Sequence, residues 1–116
     1  MNGFIKTISI AAALLFPLGA ANANTRYYHI DTNSRDTINL RLCGPRTTVT
    51  ADGDNDTDLD FCLYDSRGRL VHYDVDGTDL MITTVRNGRG CGNYQLVVNN
   101  LGDVYNRMEL SLDDHA

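Results

Sequence analysis

From Arg26 onward, runs in which apolar and polar residues alternate return about every ten residues, and each is closed by a turn signal. No stretch carries a helical period. That rhythm restricts the chain to an all-β fold, an antiparallel β-sandwich or a barrel. The expected strands are Tyr27–Asp31, Thr37–Cys43, Arg46–Ala51, Leu59–Asp65, Leu70–Asp74, Leu80–Arg86, Tyr94–Asn99 and Tyr105–Leu112. Gly44-Pro45, Gly53, Asp76-Gly77, Asn87-Gly88 and Gly102 are among the breaks between them. Alternation is cleanest in the second half, where Leu59, Phe61 and Leu63 share one face, as do Tyr94, Leu96 and Val98, and Met108, Leu110 and Leu112. These residues are the expected core. Asp65-Ser66-Arg67-Gly68 places Asp first and Gly last in a tight turn, which makes Leu59 to Asp74 a hairpin.

The first residues have the form of an export signal. Lys6 carries the lone positive charge, Ile8 to Leu18 are mostly apolar, and Ala21-Asn22-Ala23 fits the small-x-small pattern for cleavage. The apolar run is shorter than the roughly 20 residues that span a bilayer, and Pro17 interrupts it. Residues 1–23 are therefore expected to be removed, leaving 24–116 as one domain in the periplasm or outside the cell. Cleavage takes away Lys6 and lowers the formal net charge from −5 to −6. Every remaining positive side chain is Arg. Nucleic acid and anionic membrane, which need a basic face to displace counterions, are not expected partners.

Export permits disulfides, and Cys43, Cys62 and Cys91 allow one bridge within the chain. If every connection reverses direction, the loops holding Cys43 and Cys91 lie at the same end of the sandwich, whereas Cys62 falls within a strand. The expected bridge is Cys43–Cys91, with Cys62 left as a thiol.

Aspartates recur at every second position through Asp52, Asp54, Asp56, Asp58 and Asp60, and Asp74, Asp76 and Asp79 form a second cluster after the hairpin. In an extended chain the first set lies on one side at about 7 Å spacing, where its charges repel. The antiparallel hairpin returns the second cluster towards the first. Hard cations seek several carboxylate and carbonyl oxygens, so these eight aspartates are a candidate calcium site. An EF-hand fails on spacing: counting from Asp52 puts Thr57 where Gly is required and Leu63 where the bidentate Glu belongs. The other reading is that the aspartates cap turns, accept backbone hydrogen bonds and keep the protein soluble.

Other chemistry finds less support. A Cys62 nucleophile with His72 as its base has neither an oxyanion hole nor a third orienting group, and the cysteines and histidines lack the close-paired spacing of zinc sites. Asn55-Asp56-Thr57 matches a glycosylation sequon by accident, and Asn99, Asn100 and Asn106 are turn residues. His29 and His115 are expected to be exposed. Tyr27, Tyr28, Tyr64 and Tyr73 are expected to serve structure, a ligand platform being the other reading.

Val49 to Leu112 resembles the bacterial pre-peptidase C-terminal domain. The likeness rests on Asp56-Thr57-Asp58-Leu59-Asp60, Leu63-Tyr64-Asp65-Ser66-Arg67-Gly68, Asp74 with Asp76-Gly77, Gly92-Asn93-Tyr94-Gln95-Leu96-Val97-Val98, and the closing Val104 to Leu110. The resemblance implies a jelly-roll-like sandwich without catalytic activity. In that family the domain serves secretion, substrate attachment or stabilisation of a partner enzyme, and some members bind calcium through acidic loops. The expected function is thus an exported, non-catalytic accessory or binding module for a secreted protein or surface ligand, stabilised by calcium. The alternative is a freestanding inhibitor or partner of a secreted enzyme that needs no metal.

Overall fold

The computed structural model describes residues 23–115, so the expected signal segment lies outside the described residues except for Ala23, whose backbone opens the first strand. Eight strands follow: β1 (Ala23–Ile30), β2 (Arg35–Cys43), β3 (Arg46–Asp52), β4 (Leu59–Tyr64), β5 (Leu70–Asp74), β6 (Leu80–Val85), β7 (Cys91–Asn100) and β8 (Asn106–His115). They form two four-stranded antiparallel sheets, ordered β1-β8-β3-β6 and β2-β7-β4-β5. Consecutive strands alternate between the sheets except for the β4–β5 hairpin. This winding makes the sandwich a jelly roll.

Each expected strand is present, and several are longer than their apolar alternation, β1 and β7 at their starts. β1 starts at Ala23 because it runs along β8, with Ala23 opposite Asp113. β7 starts at Cys91 because it runs along β2, with Cys91 opposite Cys43. Neither Asn24-Thr25-Arg26 nor Cys91-Gly92-Asn93 reads as a strand alone; a partner's backbone supplies the hydrogen bonds, and side-chain pattern is silent about that. At the β4–β5 turn, Gly68 N–H donates to Asp65 O at 3.0 Å, with Gly68 at φ +79°, a conformation that favours glycine. The Asp65 carboxylate accepts the Arg67 and Arg69 amides, both at 2.9 Å.

Of the expected core, Leu59, Phe61, Leu63, Leu96, Val98, Met108 and Leu110 are buried, while Tyr94 and Leu112 are partly buried against them. Residues outside that set contribute as much: Tyr28, Ile30, Ile38, Leu40, Leu42, Val49, Ala51, Met81 and Val85 join the same cluster.

The reversals sort the connections into two ends. Residues 31–34, 53–58, 75–79 and 101–105 lie at one end; 44–45, 65–69 and 86–90 lie at the other. The second end carries the Cys43–Cys91 disulfide, which joins two residues already opposite each other on β2 and β7. Cys62 is a thiol. Around the bridge, Gly44 N–H donates to Gly90 O at 2.9 Å and Asn87 N–H to Gly44 O at 3.1 Å. The bridge closes a sequence separation of 48 residues. On chain-entropy grounds, replacing both cysteines by serine is expected to cost about 4 kcal/mol. Urea unfolding of the two proteins measures the difference, and a loss below about 1 kcal/mol would mean that strand pairing alone holds this end.

Candidate functional site

The four loops of the end opposite the disulfide are tied to one another through backbone and side-chain hydrogen bonds. Asn33 N–H and the Thr32 hydroxyl both donate to Gly102 O, at 3.2 and 2.8 Å. Leu101 N–H donates to Asp58 O at 3.1 Å, and Gly53 N–H to Asp79 O at 2.8 Å. Two buried asparagines complete the ties. Asn100 Nδ2 donates to Ile30 O at 3.1 Å and Val104 O at 2.9 Å, while its Oδ1 accepts Gly102 N–H at 2.9 Å. Asn106 Nδ2 donates to Thr57 Oγ1 at 3.1 Å and Asp79 Oδ2 at 3.2 Å, while its Oδ1 accepts Asp54 N–H at 3.0 Å.

The eight aspartates divide between two kinds of work. Asp79 is buried, and its Oδ2 accepts Asn55 N–H at 2.7 Å. Asp54 accepts Asp56 N–H at 3.0 Å and Arg107 N–H at 2.8 Å. Asp76 accepts both the amide and the hydroxyl of Thr78, at 3.1 and 2.8 Å. These three cap loops. Asp52 ends β3 opposite Glu109 and Leu80, and Asp56 is exposed at the tip of the loop. The first set is therefore not an extended row; it turns across the end of the sandwich between Asp52 and Leu59.

Asp58, Asp60 and Asp74 are less well provided for. Asp58 Oδ1 is buried with no hydrogen-bond partner. Partial burial raises the Asp60 carboxyl above the usual carboxylate range, and the charges of Asp58, Asp74 and Asp76 raise it further. Asp74 is raised by partial burial and then by its contact with Asp76. Asp76 is lowered by the Thr78 hydroxyl and amide and then by Asp74, so Asp74 is the first of the pair to take up a proton as pH falls. The hairpin thus brings the second cluster back onto the first. Among the described residues, however, no three His, Cys, Asp or Glu side chains converge on a point where one metal ion could sit.

Charge is segregated along the strands. Arg35 and Arg107 are the arginines of the loop half; all other described arginines lie in the disulfide half. Conversely, Asp65, Asp113 and Asp114 are the acidic residues of the disulfide half, and the rest of the 15 lie in the loop half. Exposed apolar side chains interrupt the acidic end: Val75, Leu101, Val104 and Tyr105. Beside them His29 stacks on Tyr105 with 4.5 Å between ring centroids, and Arg107 lies 4.3 Å over the ring of Tyr27.

The Cys62–His72 pairing is absent. Cys62 stands opposite Tyr73 and Leu63 opposite His72, so His72 shares the inward side with Leu63 while Cys62 faces out. The tyrosines form no common platform either. Tyr28 is buried, whereas Tyr27 and Tyr73, 56% and 59% exposed, lie on different sheets. His29 is exposed as expected; the side chain of His115 lies outside the described residues. Asn100 and Asn106 were expected merely to turn the chain. A signal for their burial existed, because Asn100 is in phase with Leu96 and Val98, and Asn106 with Met108 and Leu110. An amide at an inward position must find partners.

The carboxyl shifts fix the sign of a substitution. A folded-state pKa above the unfolded value means that ionisation of Asp60 opposes folding, an effect absent in acid and complete once pH has risen through that raised value. Asp60→Asn is therefore expected to raise the melting temperature at pH 7, with the gain shrinking towards about pH 4. Thermal melts of both proteins across that range measure it; a gain unchanged in acid would point to packing rather than charge.

No protein-family model matches the chain, and no curated protein matches it. Solved structures similar in fold include two of known role. The pre-peptidase C-terminal domain of a Bacillus anthracis collagenase superposes with a TM-score of 0.60 at 13% identity, over 80% of this chain and 90% of that one. PliG of Aeromonas hydrophila, a periplasmic inhibitor of g-type lysozyme, superposes with a TM-score of 0.54 at 15% identity, over 84% of this chain and 90% of that one. The eight-stranded jelly roll of this chain is accordingly the fold of a pre-peptidase C-terminal domain, and an enzyme inhibitor is built on a similar one.

Proposed function

We propose that the chain is an exported, non-catalytic binding module whose acidic loop end docks on a basic surface of a secreted or periplasmic protein. The observation that carries this reading is the coincidence, at one end, of most of the acidic residues with exposed Leu101, Val104 and Tyr105. Apolar and aromatic anchors ringed by charge are how protein interfaces combine affinity with steering. The hydrogen bonds among the four loops hold those anchors in place, which lowers the entropy lost on docking. Export is supported by the signal-like segment and by the Cys43–Cys91 bond, which suits an oxidising compartment. The separation of Cys62 from His72 removes the one catalytic pairing that the sequence offered. The similarity to PliG supports, within this reading, inhibition of a secreted enzyme as the form of docking to test.

Binding to g-type lysozyme, with bacterial cell-wall lysis as the readout, is the direct test. Inhibition is expected to weaken steeply from low to physiological salt. It is expected to fall about tenfold or more in a Leu101→Ser, Tyr105→Ser variant, because those side chains are placed as anchors. Absence of binding there and to other cationic secreted enzymes, or binding indifferent to both salt and these substitutions, would overturn the reading.

Calcium at the same end is a second reading, of stabilisation rather than activity, favoured by the unpartnered Asp58 Oδ1 among mutually repelling carboxylates. The side chains would have to draw together to hold the ion, since no three of those described converge as they stand. A site filled at 100 times its dissociation constant adds about 2.7 kcal/mol to stability. A rise in melting temperature at millimolar calcium, lost in Asp58→Asn, supports it; no rise in the parent protein removes it.

A further inference from the structure

At the end opposite the acidic loops, the two sheets part to leave a groove of about 780 Å³. Its floor is apolar: Leu40, Leu110 and Leu112 with the rings of Tyr28 and Tyr94 line it from the inward faces of β1, β2, β7 and β8. Leu112 and Tyr94 are the members of the core that remain only partly covered, so apolar surface is exposed here by the fold itself. The volume falls within the ~300–1,000 Å³ of small-molecule sites.

One lining residue is out of keeping with a core. Arg26 stands on β1 in phase with Tyr28 and Ile30, both buried, and so projects between the sheets rather than to the outer face. Its guanidinium bonds the Tyr28 side chain. Arg41 borders the same groove from β2 but is exposed, out of phase with the inward Leu40 and Leu42. The remaining charged group of the lining, Asp65, is engaged by the Arg67 and Arg69 amides and by Arg69 Nε at 3.0 Å. The groove therefore joins an apolar floor to the Arg26 guanidinium, in the half of the molecule where the arginines are concentrated.

The geometry points to a binding site for a small amphipathic carboxylate, an alkyl chain with one terminal carboxyl group, its chain on Leu40, Leu110 and Leu112 and its carboxylate on Arg26. A planar guanidinium offers parallel donors that match a carboxylate, and an aliphatic chain gains about 0.8 kcal/mol for each methylene buried. The site is at the far end from the proposed protein-docking surface and does not depend on it.

Isothermal titration with dodecanoate and with its methyl ester, both below their aggregation limits, tests the assignment. The acid is expected to bind saturably and about tenfold or more tighter than the ester, the loss of one charge-assisted pair. Arg26→Met is expected to abolish that preference while leaving ester binding in place, and Leu112→Asp to weaken both ligands. Amide chemical shifts in the parent protein should move at Leu40, Tyr94 and Leu112. No saturable binding of the acid, equal affinity for acid and ester, or shifts confined to other residues would overturn the proposal. All three are read on the parent protein, so the outcome does not depend on either variant folding.

Discussion

The acidic end depends on one buried contact, the amide of Asn106 against the carboxylate of Asp79 at 3.2 Å. A carboxylate taken out of water costs several kcal/mol unless donors replace the water it loses. Asp79 finds them in Asn106 Nδ2 and in Asn55 N–H, and the second of these reaches it only if residues 53–57 fold across the end of the sandwich. Asn106 strengthens the demand by accepting Asp54 N–H and donating to Thr57. Gly53 is the point at which the chain can pass: a Cβ there would strike the Asp79 carboxylate and lie 2.7 Å from Asn106 Oδ1. The path of the aspartate-rich loop is thus set by a strand residue and a loop residue distant from it in sequence.

This explains what the sequence makes legible and what it does not. Strand positions, the β4–β5 hairpin and the Cys43–Cys91 bridge follow from local rules: a period of two, an Asp-to-Gly turn, and reversal at each connection. The core of the second half follows from the same period. The strand order within the sheets does not, since β1 on β8 and β3 on β6 and β8 are pairings between segments far apart in the chain. Nor does the shape of the row from Asp52 to Asp60. Alternation suggests an extended arrangement, but Asp54 and Asp79 accept the amides of Arg107 and Asn55, distant in sequence, which only the folded chain presents. Asn106 lies between these cases. Its phase with Met108 and Leu110 marks it as inward-facing, yet its partners come from two other loops and could not be named without the topology.

Aspartates of the same composition meet opposite fates at this end, and geometry separates them. Asp54, Asp76 and Asp79 sit where N–H groups point outward from a turn or a strand start, so their charges stabilise the loops that they close. Asp58, Asp60 and Asp74 sit where the β4–β5 hairpin brings two acidic segments side by side, and burial adds to repulsion there. Keeping charges that oppose folding is intelligible if something outside the chain meets them. A basic partner surface and a cation both would, and both draw on the same unfavourable self-energy.

The separation of acidic and basic ends follows from the jelly roll acting on an alternation of charge along the chain. Asp52 to Asp60 is followed by Arg67 and Arg69, then Asp74 to Asp79, then Arg86 and Arg89. Each strand reverses direction, so successive connections fall at opposite ends, and charges that alternate in sequence become segregated in space. The ends are well beyond the roughly 8 Å screening length at physiological salt, so attraction between them does little for stability. What the segregation does provide is two surfaces of opposite character on one small domain. One presents carboxylates around exposed Val104 and Tyr105; the other presents arginines around a groove whose floor is the uncovered margin of the core. A domain of this size buries little more than 60% of its unfolded surface, so leaving Leu112 and Tyr94 partly open gives up core that it can ill spare, unless the opening is used.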